Sequence, residues 1–192
     1  MSTRQAQQRS AIWTIIAYGH MLAPKRPWDA VGMDFIVQLP NNNGYDAIIT
    51  FTCLFSKQVH LVPTITKITA KRCAKLYLSV VHKLQGISKV FVCDRDSKFT
   101  SEFWGAFTVL MGTKLNMSTA YHAQTDGQAE RTNQTVEQVL RSFCFQRHDT
   151  WADYLDSVEF CINMHKNSST GFSPFQVVYG FQPNTVGTLI AS

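Results

Sequence analysis

The chain has 192 residues, 45% of them hydrophobic, and a formal charge of +5 from 18 Lys and Arg against 13 Asp and Glu. A chain of this length suits one domain that buries roughly 70% of its unfolded surface, so a disordered polymer is excluded. The basic excess is compatible with a polyanionic partner without requiring one. Five cysteines (Cys53, Cys73, Cys93, Cys144 and Cys161) form no CxxC pair, so they read as small buried apolar residues in a reducing compartment and not as a zinc site. There is no evident signal peptide and no apolar run of bilayer length. A soluble intracellular protein without a membrane partner is expected.

Residues 1–27 open polar and Gln-rich and pass through a short apolar patch to Pro24 and Pro27, which reads as a poorly ordered lead-in. A core over residues 28–183 and a tail over 184–192 are expected to follow. From Trp28 onward, Val31, Met33, Phe35 and Val37 alternate with Gly32, Asp34, Ile36 and Gln38, a strand period that sends Asp34 to the face opposite those four apolar residues. The run Asn41-Asn42-Asn43-Gly44 signals a hairpin, and residues 47–55 and 59–63 predict two further strands in an antiparallel meander. Cys73, Leu76, Tyr77, Val80, Val81 and Leu84 recur at helical spacing, with Gly86 as the stop. A short strand over residues 89–93 delivers Asp94 at its end. A helix over 101–111, a strand over 115–117 and a polar loop over 121–127 come next. A long helix then carries Glu130. A helix built on Trp151, Tyr154, Leu155, Val158, Cys161 and Ile162 follows, and a Gly turn leads to Pro174 at the start of a last helix. Trp104 and Trp151 read as core residues. This order predicts an α/β layered fold with a mixed sheet.

Most acids in any protein are solvated surface groups, but three here depart from that by position. Asp34 sits mid-strand, where a charge costs several kcal/mol unless it is paired or metal-bound. Asp94 lies where an apolar strand ends, a common ligand position in α/β proteins, although a turn or helix-capping Asp is the plainer reading. Glu130 shares one polar stripe with Asn133, Gln134, Glu137 and Arg141, while Val136, Val139, Leu140 and Phe143 form the apolar stripe. By position alone it is equally a first-turn acid answering the helix dipole. Two acids on strands and one on a helix can converge, and three hard oxygen donors suit Mg²⁺ or Mn²⁺.

Several segments together carry a specific resemblance. They are Arg26-Pro27-Trp28, Gly32-Met33-Asp34-Phe35 and Cys93-Asp94-Arg95-Asp96-Ser97-Lys98-Phe99-Thr100-Ser101. They continue with Tyr121-His122-Ala123-Gln124-Thr125-Asp126-Gly127-Gln128-Ala129-Glu130-Arg131-Thr132-Asn133, then Glu159-Phe160 and Ser169-Thr170-Gly171-Phe172-Ser173-Pro174-Phe175. Over residues 27–183 the chain resembles the integrase catalytic core of gypsy-type LTR retrotransposons and, more distantly, of retroviruses. The resemblance implies a ribonuclease-H-like fold with a five-stranded mixed sheet flanked by helices. It implies the D,D(35)E triad on Asp34, Asp94 and Glu130, with Asp34 and Asp94 on one metal ion and Asp34 and Glu130 on a second. Two departures stand out: Ala123 replaces a Pro common before Gln124, and Cys53 stands where many relatives carry an Asp. Relatives also carry an N-terminal His/Cys zinc domain and a C-terminal binding module, and neither pattern is seen here. A fragment, a decayed copy or an isolated core is therefore expected, with full integration by this chain alone in doubt.

The implied reaction is in-line displacement at a DNA phosphodiester on two Mg²⁺ or Mn²⁺ ions about 3.5–4 Å apart. Water as nucleophile trims DNA ends, and a 3′-hydroxyl joins them to a target. Tyr121, His122, Gln124, Arg131 and Asn133 are candidate DNA contacts, and Asn133 could instead position Glu130 or the metal-bound phosphate. Lys67, Lys71, Arg72, Lys75, Lys83, Lys89 and Lys98 are further phosphate-contact candidates. DNA is the expected partner, RNA a second nucleic-acid partner, and at least a homodimer and nuclear action follow from the resemblance and the reaction. The rival readings are an inactive relative that binds nucleic acid without cutting it, a ribonuclease-H-type nuclease, and a structural or partner-binding protein.

Overall fold

The computed structural model describes residues 24–93, 97–111, 123–145, 147–185 and 190. The alternating run Ala-Val-Gly-Met-Asp-Phe-Ile forms β1 (Ala30–Ile36). It pairs antiparallel with β2 (Ala47–Cys53), from Val31 opposite Cys53 to Ile36 opposite Ile48. β2 pairs antiparallel with β3 (Val59–Thr64), and β4 (Val90–Cys93) lies parallel to β1 on its other side. Among the described residues the sheet is therefore mixed and four-stranded, in the order β3-β2-β1-β4. The expected fifth strand at residues 115–117 lies outside the described residues. β1 stops one residue before Val37, which is exposed, because Gln38 turns into the left-handed region at φ 63 and breaks the pleat.

The hairpin forms where the asparagine run predicts it. Asn42 and Tyr45 exchange both backbone hydrogen bonds at 2.9 Å around Asn43 (φ 53) and Gly44 (φ 87). Two successive positive φ values define a type I′ turn, whose twist matches the strands it joins. An added Cβ at Gly44 would meet nothing within 4 Å, so any cost of Gly44→Ala is that of the backbone alone. The expected outcome is a loss of about 1 kcal/mol in urea unfolding with an unchanged m value.

From β3 the chain crosses one face of the sheet in α1 (Ala70–Tyr77), capped by the Thr69 hydroxyl on the Arg72 amide. A π turn (Leu78–His82) and one more helical turn (Lys83–Gln85) carry it to Gly86 at φ 79. The wider turn shifts the helical phase, which is why Leu84, expected on the buried stripe, is 60% exposed. α2 (Ser97–Met111) begins four residues earlier than the pattern predicts and packs beside α1. Together they bury Met33, Phe51, Cys73, Phe91, Phe103 and Phe107 around Tyr77, whose ring makes edge contacts with four phenylalanines. Burial pushes the Tyr77 phenol pKa up, so it stays neutral and donates to Ser88 Oγ at 3.1 Å.

The other face is covered by α3 (Ala123–Phe143) and α4 (Leu155–Met164), which meet Ile36, Ile48 and Leu61 through Val136, Leu140, Leu155 and Val158, with Trp151 between the two helices. α3 takes in residues 123–127 of the stretch expected as a loop, and residues 121 and 122 lie outside the described residues. One glycine, Gly127, costs a helix about 1 kcal/mol, too little to end it among good helix formers. Trp151 lies on a 3-10 turn (His148–Tyr154) and donates to Pro40 O at 2.7 Å, as buried indoles require. The next helix, α5 (Pro174–Tyr179), starts at the expected proline with a capping box between Ser173 and Gln176.

One feature of α4 had no sequence signal. Asn163 accepts from Val59 N and donates to Val59 O, both at 2.9 Å, and Glu159, one turn earlier, accepts from Leu61 N at 2.7 Å. Helix side chains thus supply the partners that a further strand would give the β3 edge. Glu159 also meets His60 Nδ1 at 2.9 Å, and His60 stacks on Trp28. Among the described residues no helix is long and apolar enough to cross a membrane.

Candidate active site

The period-2 alternation of β1 sends Met33 and Phe35 toward α1 and α2, and leaves Asp34 half-buried on the α3 face, as the sequence predicts. Each carboxylate oxygen of Asp34 accepts a hydrogen bond: Oδ1 from Phe35 N at 2.8 Å and Oδ2 from Asn133 Nδ2 at 2.7 Å. Thr50, directly opposite Asp34 in the β1–β2 register, sets its hydroxyl 3.3 Å from Asp34 O and 3.4 Å from Asn133 Oδ1. Asn133 therefore faces inward to Asp34. Its amide bonds to Asp34 and Thr50 and not to Glu130.

Glu130 precedes Asn133 by three residues on α3, on the same face and about 4.5 Å along the axis. It is exposed and accepts from Gln134 at 3.3 Å. Because α3 begins at Ala123, Glu130 falls in its third turn, and the reading of it as a first-turn acid answering the helix dipole falls away. Asp94 lies outside the described residues. The strand before it ends at Cys93, which the parallel register sets beside Met33, the neighbour of Asp34. Tyr121 and His122 also lie outside the described residues. Gln124 falls in α3, with its side chain outside the described part, and Arg131 is exposed beside Glu130.

Among the described residues no three His, Cys, Asp or Glu side chains form a metal cluster. The two described acids of the predicted triad, Asp34 and Glu130, offer carboxylate oxygens. Asp34 is an acceptor on both oxygens, the pattern of an ionised carboxylate. That donor chemistry fits a hard divalent cation such as Mg²⁺ or Mn²⁺.

Cys53, the departure noted from sequence, is fully buried at the far end of β2, opposite Val31. Its sulfur accepts from Trp28 N at 3.0 Å and Ser56 N at 3.3 Å. Burial lowers the pKa of the neighbouring Lys57, whose ammonium donates to Leu54 O at 2.7 Å.

Charge is strongly segregated along the chain. Residues 47–93 contain no Asp or Glu and seven Lys and Arg. Lys67, Lys71, Arg72 and Lys75 along α1 and its approach, and Lys83 in the helical turn after it, are exposed and make no ion pair among the described residues. Lys89, by contrast, pairs with Asp29 at 3.1 Å. α1 begins where β3 ends, the edge of the sheet toward which β1 also runs and where α/β proteins tend to place ligands.

A mixed sheet with a mid-strand acid tied to the helix that carries a second acid defines an α/β protein with a one-sided carboxylate site. Solved structures that it matches include retroviral integrases. The HTLV-2 integrase catalytic core domain in complex with magnesium, in its trimeric form, has a TM-score of 0.63 and 16% identity, covering 82% of this chain and 100% of that one. The catalytic core domain of BIV integrase gives 0.58 and 17%, covering 80% and 95%. The simian T-cell lymphotropic virus intasome in complex with PP2A regulatory subunit B56 gamma gives 0.66 and 15%, covering 84% and 58%. The fold is that of an integrase catalytic core. In sequence, the chain is 38% identical over 159 residues to the transposon Tf2-3 and Tf2-4 polyproteins of Schizosaccharomyces pombe, a match covering 83% of this chain and 12% of each relative's length. No protein-family model matches it. The chain is thus a homologue of a segment of Tf2 retrotransposon polyproteins and has the fold of retroviral integrase cores. An RNA partner gains no support from these relatives.

Proposed function

We propose that this chain is the catalytic core of a retrotransposon integrase, which trims the 3′ ends of the element's DNA and joins them to target DNA. The observation that carries this reading is the 2.7 Å bond from Asn133 to Asp34, which ties the strand bearing one acid to the helix bearing another. Asp34, Asp94 and Glu130 would hold two Mg²⁺ or Mn²⁺ ions. Bound ions would supply activation of a water or 3′-hydroxyl and neutralise charge on the leaving oxygen. Asp34, braced at both oxygens, presents a set carboxylate to them. Glu130, exposed one turn from Asn133, can adjust as DNA enters. Tyr121, His122, Gln124 and Arg131 would contact the DNA end. The predicted strand at 115–117 would be the fifth of the sheet. The core would act as a homo-oligomer, at least a dimer, in the nucleus.

The test is strand transfer of duplex DNA bearing the element's ends, in Mg²⁺, for the wild type and Asp94→Asn. Loss in the variant supports the reading, and activity that survives the substitution overturns the carboxylate mechanism. Hydrolysis of an RNA–DNA hybrid in preference to DNA joining would favour the ribonuclease-H-type alternative.

The unpaired cations of α1 make a second measurable expectation. Binding to a random duplex should weaken with salt, and Lys71→Gln, Arg72→Gln and Lys75→Gln should each flatten the log K against log salt slope by about 0.9 if its side chain meets a phosphate. Slopes unchanged from wild type would remove α1 from the DNA interface.

A further inference from the structure

We infer that Thr50 is a positioning residue for the carboxylate site. Its hydroxyl anchors the oxygen end of the Asn133 amide, whose NH₂ end holds Asp34, and this gives Asp34 one fixed presentation to a divalent cation. The inference rests on the reading of Asp34 as a metal-binding acid.

Alternation along β2 sends Ile49 and Phe51 into the core under α1 and α2, and turns Thr50 to the α3 face, where it is 1% exposed. A hydroxyl this buried needs an acceptor, and two lie in range: Asp34 O at 3.3 Å and Asn133 Oδ1 at 3.4 Å. The hydroxyl has one proton, which the two acceptors share. The amide of Asn133 has an acceptor end and a donor end, and the donor end lies 2.7 Å from Asp34 Oδ2. Flipping the amide would press its oxygen against an ionised carboxylate oxygen at that distance. Asp34 thus sets the orientation of the Asn133 amide, and the Thr50 hydroxyl anchors its oxygen end. With Oδ2 anchored by Asn133 and Oδ1 by Phe35 N, the carboxylate plane is held against rotation, and the oxygens keep lone pairs for a cation.

Loss of a direct outer partner of a metal ligand typically weakens metal binding 10- to 100-fold, so a group acting one bond further out should matter by about 3- to 10-fold. In the sequence Thr50 is an ordinary β-forming residue, and only its register opposite Asp34 gives it this place.

The test compares wild type, Thr50→Val and Thr50→Ser. Valine keeps the shape and favours a strand, and thermal unfolding checks that the fold is retained. On metal-free protein, the Asn133 side-chain amide signals are followed by NMR and Mn²⁺ binding by calorimetry; the Mg²⁺ dependence of strand transfer is then measured. Thr50→Val is expected to move the Asn133 signals and raise the Mn²⁺ Kd by about 3- to 10-fold, with the half-saturating Mg²⁺ rising in step. Thr50→Ser is expected to restore all three. Unchanged amide signals, an unchanged Kd in the valine variant, or failure of serine to restore them would overturn the positioning role. If Asp34→Asn binds Mn²⁺ as tightly as wild type, the reading of the site falls and the inference with it. A weakened Asp34→Asn beside an unaffected Thr50→Val would sink the positioning role alone.

Discussion

Asp34→Asn is expected to lower Mg²⁺-dependent strand transfer by about a thousandfold or more, a barrier increase of about 4 kcal/mol, while leaving the fold intact. The substitution removes a negative charge and one oxygen acceptor from the site. The new amide oxygen can still accept from Asn133, and the Phe35 amide loses only a local partner within an intact strand. Thermal unfolding should therefore stay within about 1 kcal/mol of wild type, which separates lost chemistry from lost structure. Asn133→Ala should fall between the two, about 10- to 100-fold down, because it frees Asp34 without removing it. Glu130→Gln should match Asp34→Asn in activity with no effect on stability, since Glu130 is exposed and bonded only to Gln134 within its own helix. Full activity in Asp34→Asn, measured on purified protein at saturating Mg²⁺, would remove the metal-carboxylate mechanism.

The second large effect is on stability. Asn163→Ala is expected to cost about 3 kcal/mol, because it leaves both the N–H and the C=O of Val59 unpaired at a buried strand edge. Asn163 is 1% exposed, so water cannot readily replace the lost partners. For a domain of this size each kcal/mol shifts Tm by about 2–4 °C, so a fall of about 6–12 °C is expected in a thermal melt. Asn163→Asp keeps the acceptor for Val59 N but faces the Val59 carbonyl with a second oxygen, so it should not rescue. A change below about 1 kcal/mol would mean that the α4 side chains decorate the β3 edge without holding it. This clamp ties the helix following the carboxylate helix to the same sheet that holds Asp34, so its loss would also blur the site.

Much of the architecture was legible before any coordinates. The alternation around Asp34, the Asn43-Gly44 turn, the strand ending at Cys93 and the helix start at Pro174 all appear where the residues predict them. Gly127 was the one strong local signal that misled, because a single glycine between good helix formers does not end a helix. The phase of α1 was also misjudged past Val81. A period of 3.6 cannot anticipate a π turn, and Leu84 faces solvent in consequence.

By itself the sequence determined the four described strands, the hairpin turn, the polar face of Asp34 and the resemblance to integrase cores, because backbone preference and side-chain period act over a few residues and motifs are read in a line. The tertiary structure alone decided which groups meet. Asn133 reaches Asp34 across 99 residues, Thr50 reaches Asn133 across 83, and Asn163 reaches Val59 across 104. Such pairings depend on strand register and on how the helices lie on the sheet, which are set by burial of the two apolar faces together, and no local pattern encodes them.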